Sequence, residues 1–295
     1  MSRKAGLAAA LLLSATGASA HPARGIVAAP DGRVYFSDLE RIWSIAPDDR
    51  LVLVRKHRGV HTHELAMTRG GDLIGEDSNY NPADQSYRES IWRISPQGRF
   101  SLVFGPAKAV RGVSVTRDGR GCTWHADHTR LNGRPLVHRR CPGRPVERLV
   151  GSAADDRVFR PVLLSNVAGT AIGADGSFYF RQGSAVRKVT PQGQMSLVAD
   201  RIARENFGIA VDSRDNIYVA EFSARRVLRI APGGRRQIVA SSAAPWGPTG
   251  LAVRDGALFV LEATEHRRGV ETRMRVRKIA GGKSRTLATI SIPLD

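Results

Sequence analysis

Titratable side chains gather at three places in this chain: His61-Thr62-His63-Glu64, Glu76-Asp77 and His125-Ala126-Asp127-His128. Together they supply eight imidazoles and carboxylates. His, Asp and Glu are the side chains that hold zinc or a similar divalent ion. The same set lets a paired imidazole and carboxylate draw a proton from water as a general base. The spacing is no fixed motif, because H-x-H-E differs from the helical H-E-x-x-H that sets two imidazoles on one face. A plainer role for these residues is hydrogen bonding to backbone at the ends of structural elements. Convergence in a cleft would favour chemistry, so the elements that carry them decide.

Those elements are repeats. Six segments share one pattern and begin at Gly25, Glu64, Gly112, Gly169, Gly208 and Gly250. The fifth reads GIAVDSRDNIYVAE and the first GIVAAPDGRVYFSD. A small, apolar strand a is followed by a tight turn of Asp and Gly, as in Pro30-Asp31-Gly32. A β-branched or aromatic strand b follows, such as Val34-Tyr35-Phe36. Strand c recurs as Ile91-Trp92-Arg93-Ile94 or Val227-Leu228-Arg229-Ile230, and turns such as Pro96-Gln97-Gly98 lead into strand d. Helical spacing of apolar residues is absent, and Gly or Pro recurs about every dozen residues. Four short strands per unit at this period predict an all-β fold: a six-bladed β-propeller of four antiparallel strands per blade, over residues 21–295.

Alternating strands give the propeller two unlike faces. The a–b and c–d turns are short. The long segments all fall in b–c or d–a connections, at residues 78–90, 126–135, 151–166 and 263–272, and are expected as loops. Such loops are where function tends to sit. The last residue of strand b is Asp38, Asp77, His125, Gln182, Glu221 or Glu262 on that same face. Arg24, His61, Arg111, Asn166, Asn206 and Thr249 stand near the starts of strand a. Both sets are expected to ring the channel mouth. Glu64 is the most informative, because the other five repeats have Gly there and strand a crowds the axis.

Gly208 to Gly234 resembles an NHL repeat throughout, and Pro245 to Ala252 is similar to the last-blade entry of the same group. The whole chain resembles the six-bladed superfamily of NHL proteins, gluconolactonases, paraoxonases and strictosidine synthases. The resemblance implies a divalent metal at the channel mouth, calcium, zinc or magnesium, held by Glu64, Asn166 and Asn206, with Glu221, Asp38 or Glu262 as fourth ligand. Paraoxonases add a His pair over the metal, a role that His61, His63, His125 and His128 would fill. The activity implied is that of a lactonase or esterase. The other reading is a non-catalytic binding module, its contacts drawn from Asp77, Arg111, Glu262, Trp246, Tyr80 and Tyr87. Fold likeness alone does not choose between them.

Residues 1–20 read as a signal peptide: a basic start at Arg3 and Lys4, an apolar run and an Ala18-Ser19-Ala20 cleavage site. The run is too short to span a bilayer, so a periplasmic or secreted protein is expected. Its Cys122 and Cys141 fall nearly opposite each other on strands b and c of the third blade, which predicts a disulfide in an oxidising compartment. The net charge is +18, and +16 without Arg3 and Lys4. No nucleic-acid motif accompanies it, so a solvated basic surface, with weak attraction to an anionic cell envelope, is expected. The expected partner is a small-molecule ligand or substrate on the long-loop face, taken by a monomer.

Overall fold

A computed structural model describes residues 23–57, 59–68, 70–81, 83–84, 86–108, 114–118, 122–131, 134–141, 143–150, 167–203, 206–265 and 271–292. They form six four-stranded antiparallel sheets and no helix, so none of them makes a helix long and apolar enough to cross a membrane. Blade one is β1 (Ile26–Ala28), β2 (Val34–Ser37), β3 (Arg41–Ile45) and β4 (Leu51–Lys56). Blade two is β5 (His61–Met67), β6 (Leu73–Asn81), β7 (Ser86–Ile94) and β8 (Phe100–Lys108). Blade three is β9 (Ser114–Arg117), β10 (Thr123–Leu131), β11 (Arg134–Arg140) and β12 (Glu147–Val150). Blade four is β13 (Val167–Ile172), β14 (Phe178–Gln182), β15 (Ala185–Val189) and β16 (Met195–Ala199). Blade five is β17 (Asn206–Val211), β18 (Ile217–Glu221), β19 (Arg226–Ile230) and β20 (Arg236–Ser241). Blade six is β21 (Trp246–Arg254), β22 (Ala257–Thr264), β23 (Thr272–Ala280) and β24 (Lys283–Ile292).

The first strands of the blades make a closed inner ring, β1 touching both β5 and β21. Among the described residues every sheet is contiguous in sequence, and none borrows a strand to close the ring. Closure comes from side chains instead. Ile26, Val34, Phe36 and Ile45 of blade one pack against Ala252, Leu261, Met274, Val276 and Ile290 of blade six. Similar clusters join blades one and two around Trp92, three and four around Trp124 and Phe178, four and five around Val219, and five and six around Val260. Alternation along each strand supplies the apolar face.

The strand-a glycines have a steric cause. A Cβ on Gly250 would lie 2.1 Å from the Arg24 carbonyl oxygen, and one on Gly208 would lie 2.8 Å from the Gly250 Cα. Neighbouring inner strands leave no room there for a side chain. Glu64 occupies the equivalent slot of blade two, paired with Glu76 as Gly250 is with Leu261. With Glu76, Ile91, Thr116 and Thr123 it lines a water-sized crevice between blades two and three.

Two of the expected loops are strands. Residues 78–81 and 86–90 continue β6 and β7 as paired strands, with Ser78 opposite Glu89 and Asn81 opposite Ser86. Strand β8 follows this arm as far as Lys108. Residues 126–131 and 134–135 do the same in blade three, with a bulge between Asp127 and Arg130. Backbone pairing holds these polar segments extended where the sequence offers no apolar alternation. In blade six, residues 263 and 264 still belong to β22. The link at 151–166 lies outside the described residues, as does the leader at 1–20. Cys122 and Cys141 are disulfide-bonded, beside the Thr123–Arg140 pair that joins β10 to β11.

Candidate functional site

Strand β5 starts at the channel mouth, and the second blade hooks onto the first there. The Thr62 N–H donates to the Leu39 carbonyl at 2.8 Å, and the Ser37 hydroxyl donates to the Thr62 carbonyl at 2.8 Å. A bulge at His63 then shifts the register before Glu64. The His61 and His63 rings meet edge to face with centroids 5.8 Å apart.

Glu64 faces a partner from another blade. Arg24 Nε donates to Glu64 Oε1 at 2.6 Å, and both side chains are only 12% exposed. The Gly169 N–H of blade four lies near enough to the same carboxylate to favour its charged form. Three blades therefore meet at one carboxylate near the axis. Burial pushes the Glu64 carboxyl above its ordinary range, and Arg24 and the Gly169 N–H pull it partway back. Arg181 completes the group. It is opposite Ala168 in the β13–β14 pairing, beside Gly169, and is 3% exposed. Burial first, and then the Arg24 charge, lower its pKa to about 9.

The carboxylates at the ends of strand b are engaged by partners from their own blades and from the blade before. Asp38 accepts from Arg41 Nε at 2.6 Å and Trp43 Nε1 at 2.8 Å. Asp77 accepts from the Thr62 hydroxyl at 2.6 Å and Trp92 Nε1 at 2.7 Å, with Arg55 and His57 Nδ1 each 3.2 Å from Oδ2. Glu221 accepts from the Ala203 N–H at 2.8 Å and from Arg226 Nε. Glu262, fully buried, accepts from Ser242 and Arg275 at 2.5 Å and from Arg277 at 2.8 Å. Trp246 is buried beneath the Arg275 guanidinium, 4.2 Å from the ring centre. Each of these side chains has a packing role where it stands.

Arg111 and Asn166 lie outside the described residues, as do the side chains of His125, His128, Asn206, Tyr80 and Tyr87. His125 and His128 fall on β10 and Asn206 on β17. Among the described residues no three His, Cys, Asp or Glu side chains come together to hold a metal ion. Glu64 is committed to a guanidinium, which occupies the place a cation would take, so the described residues do not fit a divalent ion.

Two residues were not selected by the sequence pattern. Arg181 read as one more member of a basic surface, whereas Arg24 was expected at the mouth and only its pairing with Glu64 was not. Glu89 stands on β7 in the row Ser78–Glu89, and burial pushes its carboxyl up to about 7. An acidic residue in the long segment of the second repeat was its only sequence signal.

No protein-family model matches the chain, and no curated protein matches it. Solved structures do. The fold is a six-bladed β-propeller similar to solved propellers of several activities. A gluconolactonase from Xanthomonas campestris is 16% identical, with 81% of this chain and 83% of that one covered and a TM-score of 0.57. A calcium-binding regucalcin from Agrobacterium tumefaciens is 14% identical, with 83% of each chain covered and a TM-score of 0.57. Virginiamycin B lyase from Staphylococcus aureus is 15% identical, with 92% of this chain and 84% of that one covered and a TM-score of 0.55. At such identities the likeness is one of fold.

Proposed function

We propose that the protein is an exported, lactonase-like hydrolase that works on a small molecule at the channel mouth, with Glu64 as the proton-handling residue. One observation carries this: a buried carboxyl with a raised pKa stands at the axis in a slot that sterics reserve for glycine elsewhere. Burial makes its ionised form a better base than a surface carboxylate. Ionised Glu64 would take a proton from water attacking a lactone or ester carbonyl. Arg24, 2.6 Å away, and the Gly169 N–H would donate to the oxygen that turns negative. The gluconolactonase fold neighbour supports the substrate class. The leader-like residues 1–20 and the disulfide support export.

Hydrolysis of a panel of aliphatic lactones and aryl esters by the purified protein tests this. Glu64→Gln should lower the rate roughly a hundredfold or more. A rate equal to that of the intact protein would remove Glu64 from the chemistry. Metal content measured on the same sample decides whether an ion is bound, the regucalcin neighbour being calcium-binding. N-terminal sequencing of secreted material should begin at His21.

The second reading, a binding module without turnover, draws on the same Arg24–Glu64 pair. A carboxylate neutralised by a guanidinium is also what a rigid binding floor would use. Ligand binding without hydrolysis of any panel member would select it.

A further inference from the structure

Among the described residues, Arg181 is a buried cation without an acidic partner. It is 3% exposed, its Nη1 donates to the Gly183 carbonyl at 3.0 Å, and its Nε has no hydrogen-bond partner. A buried guanidinium normally meets a carboxylate, because desolvating the charge is expensive. Its charge repels that of Arg24, which enters from blade one. Among the described residues, two guanidinium groups thus share the channel mouth with one facing carboxylate, Glu64, which already pairs with Arg24. Among these groups one positive charge is left over.

We infer that the ligand taken at the channel mouth carries a carboxylate, and that Arg181 is the residue that binds it. The inference rests on the reading that this mouth is the ligand site. A carboxylate is favoured because its plane matches a guanidinium edge. The mouth also shows the pairing once already, in the contact of Glu64 with Arg24. The remaining charge would then be balanced by the substrate. A lactone that also bears an acid group, or the hydroxy acid that ring opening yields, would be held with its carboxylate on Arg181 and its reacting carbonyl toward Glu64.

Calorimetry and thermal shift on the purified protein test this with acetate, lactate, gluconate and citrate. Each is compared with its amide or the matching alcohol, at an ionic strength held constant with sodium chloride, and inorganic phosphate forms a separate arm. At least one carboxylate should bind at millimolar concentration or tighter while its neutral counterpart does not. Arg181→Gln should weaken it by roughly tenfold or more, the worth of one charge-assisted hydrogen bond, and Arg181→Lys by less. If Arg181→Gln does not fold, Arg181→Lys carries the test: unchanged affinity in a folded Arg181→Lys overturns the inference, and weakened affinity supports it. Binding of phosphate alone, of neither class, or of carboxylate equally well by Arg181→Gln overturns it. Hydrolysis of an acid-bearing lactone unaffected by Arg181→Gln would defeat this inference and keep the hydrolase. Carboxylate binding by a protein that opens no lactone would do the reverse.

Discussion

The indole N–H of Trp92 donates to Oδ1 of Asp77 at 2.7 Å, tying strand c of blade two to the end of its strand b. Trp43 does the same to Asp38 in blade one at 2.8 Å. In blades five and six the donors are arginines, Arg226 to Glu221 and Arg275 to Glu262. A carboxylate at the end of strand b is thus a recurring latch beneath the mouth. Asp77 is 4% exposed and serves Thr62, Trp92, Arg55 and His57 together. Asp77→Ala should therefore destabilise the protein by about 3–5 kcal/mol, since it leaves buried donors unpaired. Chemical denaturation measures this, and a loss within about 0.5 kcal/mol of zero, the size of a neutral surface substitution, would refute the latch.

Arg24 and Glu64 form a coupled pair between blades one and two. Arg24→Met alone should destabilise by roughly 3 kcal/mol near neutral pH, because it strands a buried carboxylate. Glu64→Gln alone leaves a guanidinium facing a neutral amide. The double variant should recover part of the loss, and a double-mutant cycle on unfolding free energies should return a coupling above about 1 kcal/mol. Strict additivity would mean that the two side chains act separately.

Glu89 gives the fold a pH dependence near neutrality. Its folded pKa, about 7, lies above the ordinary carboxylate value of 4.5. The folded state then holds the proton more tightly than the unfolded chain. Its contribution is full below about pH 4.5 and is lost as pH rises through about 7. Glu89→Gln should flatten that part of the profile and stabilise the protein at pH 8 by roughly 1–2 kcal/mol, allowing for partial solvent access. Asp175 and Asp212 act in the opposite sense, since local hydrogen bonds lower both pKa values and their contribution fades only as pH falls below about 4. Melting temperatures recorded from pH 5 to pH 8 for both proteins check the sign, and identical slopes would contradict it.

The disulfide spans 19 residues of blade three. Replacing Cys122 and Cys141 together by Ser should lower stability by about 3 kcal/mol, the worth of closing a loop of that size. Free-thiol counting under denaturing conditions should find none before reduction.

Much of the fold was legible because each blade repeats the same local instructions. GIAV-type strands, turns rich in Asp and Gly, and Pro- or Gly-led turns before strand d point the same way in most repeats. Glu64 was legible as well, since it breaks a glycine column whose steric cause is now visible at Gly250. Its partners were not. Arg24 lies 40 residues away and Gly169 in another blade, and only the curvature of the ring joins them. The strand-b carboxylates were assigned to ligands because their position faces the mouth. A usable signal did exist: Trp43 follows Asp38, and Arg226 follows Glu221, by five residues. In blade two the interval grows to 15 because the arm intervenes, which hides the rule. The arms read as loops because a strand without an apolar side leaves no alternation to detect.

Contiguous blades also set an order of events. A sheet whose four strands follow one another can form as soon as its own segment is available, with no need to wait for a distant strand. The last step is then the meeting of the sixth sheet with the first, made by side chains such as Met274 and Phe36 and not by backbone ladders. The ring has a seam there. The seam is where the molecule should open first under load, and where a permuted chain could be cut and rejoined with least loss.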